Sequence, residues 1–292
     1  MILVFGSINL DLVLPVPVLP APGETVLGAA YSTQPGGKGA NQALAAARDG
    51  AAVVLACCVG RDGFAAPALA LLRAAGVDLV RVAETASPTG LAAIAVDPAG
   101  RNQIVVAGGA NARAAAGQVE DALLAPHTTL LLQREVDPAE SARLALRAKQ
   151  RGCRVVLNTA PAGPFPEAAL AALDVLVANA VEAAELGAAS AAELAARHPG
   201  LAAVITRGEA GVEVAAPGER FALPAHPVAV RDTTAAGDTF TGVFAAGLDR
   251  GLSLRAAALR ANAAAALCCT RQGSQQSIPL AAETDAMLAA AR

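Results

Sequence analysis

The sequence predicts an α/β protein built on a mostly parallel sheet covered by helices. Three observations carry this: short β-branched or Leu/Val runs alternate with Ala-rich helical stretches, the apolar content is high (54% hydrophobic, mean hydropathy +0.47), and only 16% of residues are charged. That composition supplies one large core and argues against intrinsic disorder. In chain order the strand candidates are Ile2–Phe5, Val53–Cys57, Thr129–Gln133, Cys153–Leu157, Val175–Ala178 and Ala203–Thr206. Helices are predicted near 38–49, 64–75, 138–151 and 179–186, between those strands. The last third changes rhythm: Val212–Ala215 and Arg220–Leu223 turn around Pro217-Gly218, and helices follow near 237–249 and 253–267. The sheet is therefore expected to end in antiparallel strands. Residues 12–35, with Pro15, Pro17, Pro20 and Pro22, and residues 89–106, turning at Asp97–Gly100, fall outside the pattern. They form a small β-layer at the sheet edge, readable either as a lid or as a peripheral hairpin. No repeat, linker or clean domain boundary interrupts residues 1–292, so one domain is expected.

The net charge of −3 comes without a long basic run, and the chain has one Tyr, six Phe and no Trp. Neither a phosphate-tracking surface nor a base-stacking platform is suggested, so no nucleic-acid partner is expected. The apolar runs at 51–60 and 261–270 are too short for a bilayer, which needs about 20 residues, and no membrane partner is expected. Five cysteines, in the order Cys57-Cys58, Cys153, Cys268-Cys269, lack CxxC spacing and predict reduced thiols in a cytoplasm. His127, His198 and His226 each adjoin a proline, with neither metal-ligand spacing nor a nucleophile partner.

Three segments carry the chemistry. In Asp232–Gly242, small residues let the backbone N–H groups of Ala235, Ala236, Gly237 and Asp238 gather at a helix start, an arrangement suited to phosphate. Asp238, in the first turn, is then either a base for a substrate hydroxyl or a complement to the helix dipole. Gly36–Gln42 is neither a Walker loop nor a dinucleotide fingerprint, so a Rossmann dehydrogenase is set aside. It offers a tight glycine turn flanked by the Lys38 ammonium and the Asn41 amide, fit for a polyhydroxylated ligand or simply a loop. In Gly6–Asp11, Asn9 and Asp11 stand two apart, so on an extended backbone both face the same hydroxyls, unless they are turn residues. Asn179 and Glu182, three apart at a helix start, read either as a capping box or as support for a hydrated Mg²⁺.

Taken together, Gly6–Asp11, Pro35–Gln42, Gln133–Glu135, Asn158–Pro161, Asn179–Glu185, Thr206–Gly211, Asp232–Phe240 and Thr270–Pro279 occur in an order that resembles the ribokinase-like (PfkB) superfamily of carbohydrate and nucleoside kinases, over essentially the whole chain. The resemblance implies a three-layer α/β/α fold with a β-lid and phosphorylation of D-ribose by ATP at its 5-hydroxyl. A related kinase acting on deoxyribose, another sugar or a nucleoside is the alternative, with a non-catalytic sugar or nucleotide sensor behind it. By position, Asn9, Asp11, Gly37, Lys38, Asn41 and Glu135 would bind sugar, Asp238 would be the base, and residues 235–238 the anion hole. Asn179 and Glu182 would serve Mg²⁺ and phosphate, Thr206 and Gly208 the nucleotide phosphates, and Asn262 the adenosine. A K⁺ loop would use the Asp232 and Ser277 side chains with the carbonyls of Thr234, Cys268, Arg271 and Gly273. The family's lid also implies a homodimer.

Overall fold

The structure, a computed structural model, describes residues 1–290; the last two positions of the 1–292 domain expectation, Ala291 and Arg292, lie outside the described residues. In order the elements are β1 (Ile2–Phe5), β2 (Asn9–Pro15), β3 (Ser32–Gly36), α1 (Lys38–Arg48), β4 (Val53–Gly60), α2 (Ala65–Ala68), α3 (Ala70–Ala74), β5 (Val82–Thr85), β6 (Gly90–Val96) and β7 (Asn102–Ala107). There follow β8 (Thr129–Leu132), α4 (Pro138–Gln150), β9 (Arg154–Asn158), α5 (Glu167–Leu170), β10 (Val175–Asn179), α6 (Ala180–Glu185), α7 (Ala191–Arg197) and β11 (Ala202–Thr206). The chain closes with β12 (Val212–Ala216), β13 (Glu219–Leu223), α8 (Ala236–Asp249), α9 (Leu254–Cys269) and α10 (Ala281–Ala290).

Nine strands form the central sheet in the order β13-β12-β11-β10-β9-β8-β1-β4-β5. All neighbours are parallel except β11–β12 and β12–β13, as the hairpin reading required. Because a strand's side chains alternate, each parallel strand feeds two cores. Ile2 and Val4 pack with α1, α8 and α9 on one face, whereas Leu3 and Phe5 pack with α4 and α7 on the other. Cys57 and Cys58 fall one on each face. All five thiols are free.

Two expectations need correction. The single helix near 64–75 is two short helices meeting at Leu69. Strand β5 was not anticipated; its four residues are only partly buried and lack the continuous apolar run that marks the inner strands. The helices α5, α7 and α10 were also unforeseen.

The proline-rich segment and residues 89–106 meet in a second sheet, ordered β3-β2-β6-β7. Strand β2 lies parallel to β6 and antiparallel to β3, so Asn9 faces Gly36 on one side and Gly90 on the other. The outer strand β7 is exposed along its whole length, with Ile104, Val105 and Val106 open to solvent. Among the described residues no helix is long and apolar enough to cross a membrane.

Candidate active site

Parallel α/β sheets place their functional groups beyond the carboxyl ends of the strands. Here Asn9 follows β1, Glu135 follows β8, and Asn158, Asn179 and Thr206 close β9, β10 and β11. At the opposite ends, a cavity of about 490 Å³ is lined by Lys149, Arg154 and Asp249, whose charged groups already have partners, Arg154 donating to the Leu248 carbonyl at 2.7 Å. Lys149 meets Asp174 at 2.6 Å and the terminal ammonium meets Asp249 at 2.9 Å.

The residues expected from the sequence to hold a polyhydroxylated ligand come together at the root of the small sheet. Asn9 and Asp11 lie in β2 and are buried, 3% and 9% exposed. Gly37, with φ +90°, makes the turn into α1; a Cβ there would stand 2.7 Å from the Asn9 nitrogen. That left-handed turn and close approach require glycine. It brings the Lys38 N–H to Glu135 Oε2 (2.9 Å), where the Ser7 hydroxyl also donates (2.6 Å). Burial, reinforced by the Glu135 and Asp238 carboxylates, pushes the Asp11 carboxyl up to about 7, although Lys38 opposes it. Lys38 is raised above its ordinary value, chiefly by Asp238.

Asp238, 7% exposed, stands in the first turn of α8. Its Oδ2 accepts from Asn41 Nδ2 and its Oδ1 from Gln42 Nε2, both at 2.9 Å. This is possible because α1 and α8 cross almost backbone to backbone: a Cβ on Gly242 would lie 2.4 Å from the Gln42 carbonyl oxygen. Phe240 and Phe244 stack, with centroids 5.8 Å apart, and seat α8 in the core. Ala235 precedes the helix in the left-handed region, φ 61°, a strained choice for a residue with a Cβ. The Ala236 N–H already donates to the Thr233 carbonyl at 3.2 Å, whereas the N–H groups of Ala235, Gly237 and Asp238 have no backbone partner among the described residues. Of the four donors the sequence reading named, only that of Ala236 is engaged.

These N–H groups border a cleft of about 220 Å³ lined by Lys38, Asn158, Asn179, Glu182, Thr206 and Asp238. It continues through Thr206, Thr233 and Gly237 into a second cavity of about 500 Å³, whose walls include Gly208, Val230, Phe240, Asn262 and Cys269. Asn262 donates to the Pro224 carbonyl at 2.7 Å. Asn179 and Glu182 make the capping box: Asn179 N–H donates to Glu182 Oε2 (2.9 Å) and Glu182 N–H to Asn179 Oδ1 (2.8 Å). Among the described residues there is no cluster of three His, Cys, Asp or Glu able to hold a metal.

In the 232–277 loops, Asp232 Oδ1 accepts from the Thr234 N–H (2.9 Å) and hydroxyl (2.6 Å), and Oδ2 from the Gly273 N–H (2.9 Å). Burial alone would raise the Asp232 carboxyl, but these hydrogen bonds outweigh it and bring it below the ordinary value. Ser277 donates to the Ser274 carbonyl at 2.6 Å and its oxygen lies 3.0 Å from Cys268 Sγ. The Cys268 carbonyl accepts the Arg271 N–H at 3.2 Å.

Sequence reasoning did not single out Ser7, Gln42, Gln133 or Asn111. The first three stood inside the motifs named above, so the signal was present but their partners were not. Asn111 lies in a stretch to which no role was given. It accepts from the Ile8 N–H (2.9 Å) and donates to the Ile8 carbonyl (3.1 Å) and to Asn9 Oδ1 (2.8 Å). The Asn9 amide is thereby oriented with its NH₂ left for a ligand.

A pocket of hydroxyl-binding groups and a phosphate-sized cleft, meeting at a carboxylate on a helix start, define a phosphotransferase acting on a small polyhydroxylated acceptor. The model of the pfkB family carbohydrate kinases matches residues 1–281. A ribokinase from Haemophilus influenzae is 38% identical over 294 residues, covering 96% of both chains. Among solved structures, a ribokinase from Thermotoga maritima superposes with a TM-score of 0.91 at 33% identity, covering 99% of both chains. The ribokinase of Arabidopsis thaliana, complexed with ribose and ATP, superposes at 0.89 with 30% identity and 98% coverage of both chains. The chain belongs to the PfkB family of carbohydrate kinases.

Proposed function

We propose that the protein is a ribokinase, moving the γ-phosphoryl group of ATP to the 5-hydroxyl of D-ribose to give ribose 5-phosphate. The observation that carries this reading is the position of Asp238, bonded to Asn41 on the sugar side and lining the cleft on the phosphate side. In this reading Asn9, Asp11, Gly37, Lys38, Asn41 and Glu135 hold the sugar. Asn9 donates and Asp11 accepts, so neighbouring hydroxyls meet a complementary pair. Fixing the ring with its 5-hydroxyl at Asp238 supplies the positioning on which phosphoryl transfer mainly depends. Asp238 accepts the hydroxyl proton as the oxygen attacks phosphorus. The Ala235, Gly237 and Asp238 N–H groups and the positive end of α8 meet the charge that develops on the phosphoryl oxygens, with Ala236 shaping the turn. Thr206 and Gly208 border the nucleotide phosphates, and Asn262 stands at the adenosine end of the larger cavity.

ATP brings Mg²⁺, which neutralises phosphate charge when bound. With Asn179 and Glu182 engaged in the cap, Glu182 suits contact through metal-bound water better than direct ligation. For a K⁺ site in the 232–277 loops the donor chemistry fits: an ionised Asp232, the Ser277 oxygen with lone pairs to spare, and the backbone carbonyls of Thr234, Cys268, Arg271 and Gly273 from the same loops. The exposed β7 edge, with Tyr31 and Leu27 also open on the lid segments, suits pairing of two copies through the lid.

The test is ADP release by the purified protein with Mg·ATP, offered D-ribose, 2-deoxyribose, fructose, adenosine or no acceptor, in K⁺ and in K⁺-free buffer. A ribose-dependent rate that rises with K⁺ is expected. Turnover confined to another acceptor overturns the sugar assignment, and silence with every acceptor overturns the kinase reading.

A further inference from the structure

A side-chain amide has two faces, and turned by 180° it offers oxygen where it had offered hydrogen. The orientation of Gln42 is dictated both by Asp238, whose carboxylate can only accept, and from outside the pair. The backbone carbonyl of Val177 can only accept, so Asn158 turns its Nδ2 toward it (3.2 Å) and presents Oδ1 to Gln42. Gln42 Nε2 gives one hydrogen to that oxygen (3.0 Å) and the other to Asp238 Oδ1 (2.9 Å). Its own Oε1 accepts from Gln133 Nε2 at 2.7 Å. Every hydrogen-bonding group of the Gln42 amide is thus used. Reversing it would set oxygen against oxygen at both Asn158 and Asp238. Gln42 and Gln133 are fully buried and Asn158 nearly so, and Gln133 Oε1 has no partner of its own, so a reversal would leave desolvated groups facing like groups.

We propose that Gln133, Asn158 and Gln42 form a relay of amide polarity that fixes the direction of the Asp238 carboxylate, with Gln42 and Gln133 acting as positioning residues for turnover. The inference rests on Asp238 being the base. With Asn41 holding one oxygen and Gln42 the other, the carboxylate is pinned in its plane. The lone pairs that remain are directed at the cleft, where the acceptor hydroxyl would give up its proton. Gln133 lies two residues before Glu135 and has no hydrogen bond to Asp238; it acts only through Gln42.

The experiment compares Gln42→Met, Gln133→Met, the double variant and Asp238→Asn, all near-isosteric. Steady-state kcat, KM for D-ribose and Tm are measured for each. Gln42→Met is expected to lower kcat by about 30-fold or more while KM for ribose stays within about threefold, because the sugar's own partners are untouched. Gln133→Met is expected to give a smaller loss of the same kind. In the double variant Gln133→Met should add nothing further, since its route to Asp238 has already been cut. A kcat for Gln42→Met equal to that of the parent overturns the relay, as does a Gln133→Met loss that multiplies onto the Gln42→Met loss. If Gln42→Met does not fold, Gln133→Met carries the same test, and an unaltered kcat there overturns the proposal. Asp238→Asn separates the two readings: turnover retained in that variant removes the base assignment itself, whereas its loss beside a fully active Gln42→Met removes only the relay.

Discussion

Replacing Gly242 by Ala probes how closely α1 must lie on the helix that bears Asp238. The added Cβ would stand 2.4 Å from the Gln42 carbonyl oxygen, 2.7 Å from Ala45 Cβ and 3.1 Å from the Ala46 nitrogen. Two of these three atoms are backbone and the third is a Cβ, so no flexible side chain can swing away. Relief to ordinary contact needs α1 and α8 to part by about 1 Å. Alanine is the better helix former by about 1 kcal/mol, yet overpacking of this kind costs about 1–3 kcal/mol. The net effect is a Tm lowered by a few degrees, since each kcal/mol moves Tm by about 2–4 °C in domains of this size class. Turnover should suffer more. The same 1 Å would stretch the 2.9 Å bonds from Asn41 and Gln42 to Asp238 beyond hydrogen-bonding range, and a misplacement of that size costs about 100-fold in rate. The assay is coupled ADP release at saturating ribose and ATP beside thermal unfolding. An unmoved Tm with full turnover would refute the close crossing. A lowered Tm with full turnover would refute its transmission to Asp238.

Further outcomes follow from the same geometry. Asp238→Asn should lower kcat by about 10²–10⁴-fold and leave ribose binding, measured by calorimetry, nearly intact. Asn111→Leu removes the donor that orients Asn9; one buried hydrogen bond lost, at about 1–3 kcal/mol, should raise KM for ribose roughly tenfold with a smaller change in kcat. Asp11, ordinarily near 3.8 and pushed up to about 7 in the fold, holds its proton where the unfolded chain has lost it. The folded state therefore binds more protons between these values, and stability should fall as pH rises from about 4 to 7, by at most about 4 kcal/mol. Asp11→Asn, which cannot ionise, should flatten that part of the Tm profile; parallel profiles for the two proteins would refute it. Asp232→Ala should abolish any rise in rate with K⁺, read by titrating KCl against a constant ionic strength.

Much of this was legible in the chain because the signals were local. The inner strands announced themselves as apolar runs, and Asn9 and Asp11 did share a face because two residues is the period of a strand. The capping box was readable from Asn179 and Glu182 at a spacing of three. What escaped notice depended on distance along the chain. Gln42 meets Asp238 across 196 residues and Gln133 meets Gln42 across 91. A glutamine after a Gly-rich turn carries no local mark of which helix will cross above it. Asn111 contacts Ile8 and Asn9 across more than 100 residues, and a lone asparagine in a 3₁₀ turn is usually a turn residue. The break at Leu69 did leave a mark, since Pro67 stands two residues before it and the single-helix reading of 64–75 took no account of that proline.

The strand β2 begins at Asn9 and passes through Asp11 as it runs out into the lid, so on the proposed reading acceptor recognition is written mainly in the first third of the chain. On the same reading the walls of the nucleotide cavity come from Thr206 onward, and the two parts meet where α1 lies against α8 at Asp238. Such a layout is modular on the lid side: exchanging the lid strands between relatives, with the α1–α8 contact kept, would change the choice of sugar while leaving the handling of ATP in place. It also lets mutation explore new acceptors one segment at a time, without rebuilding the machinery that moves the phosphate.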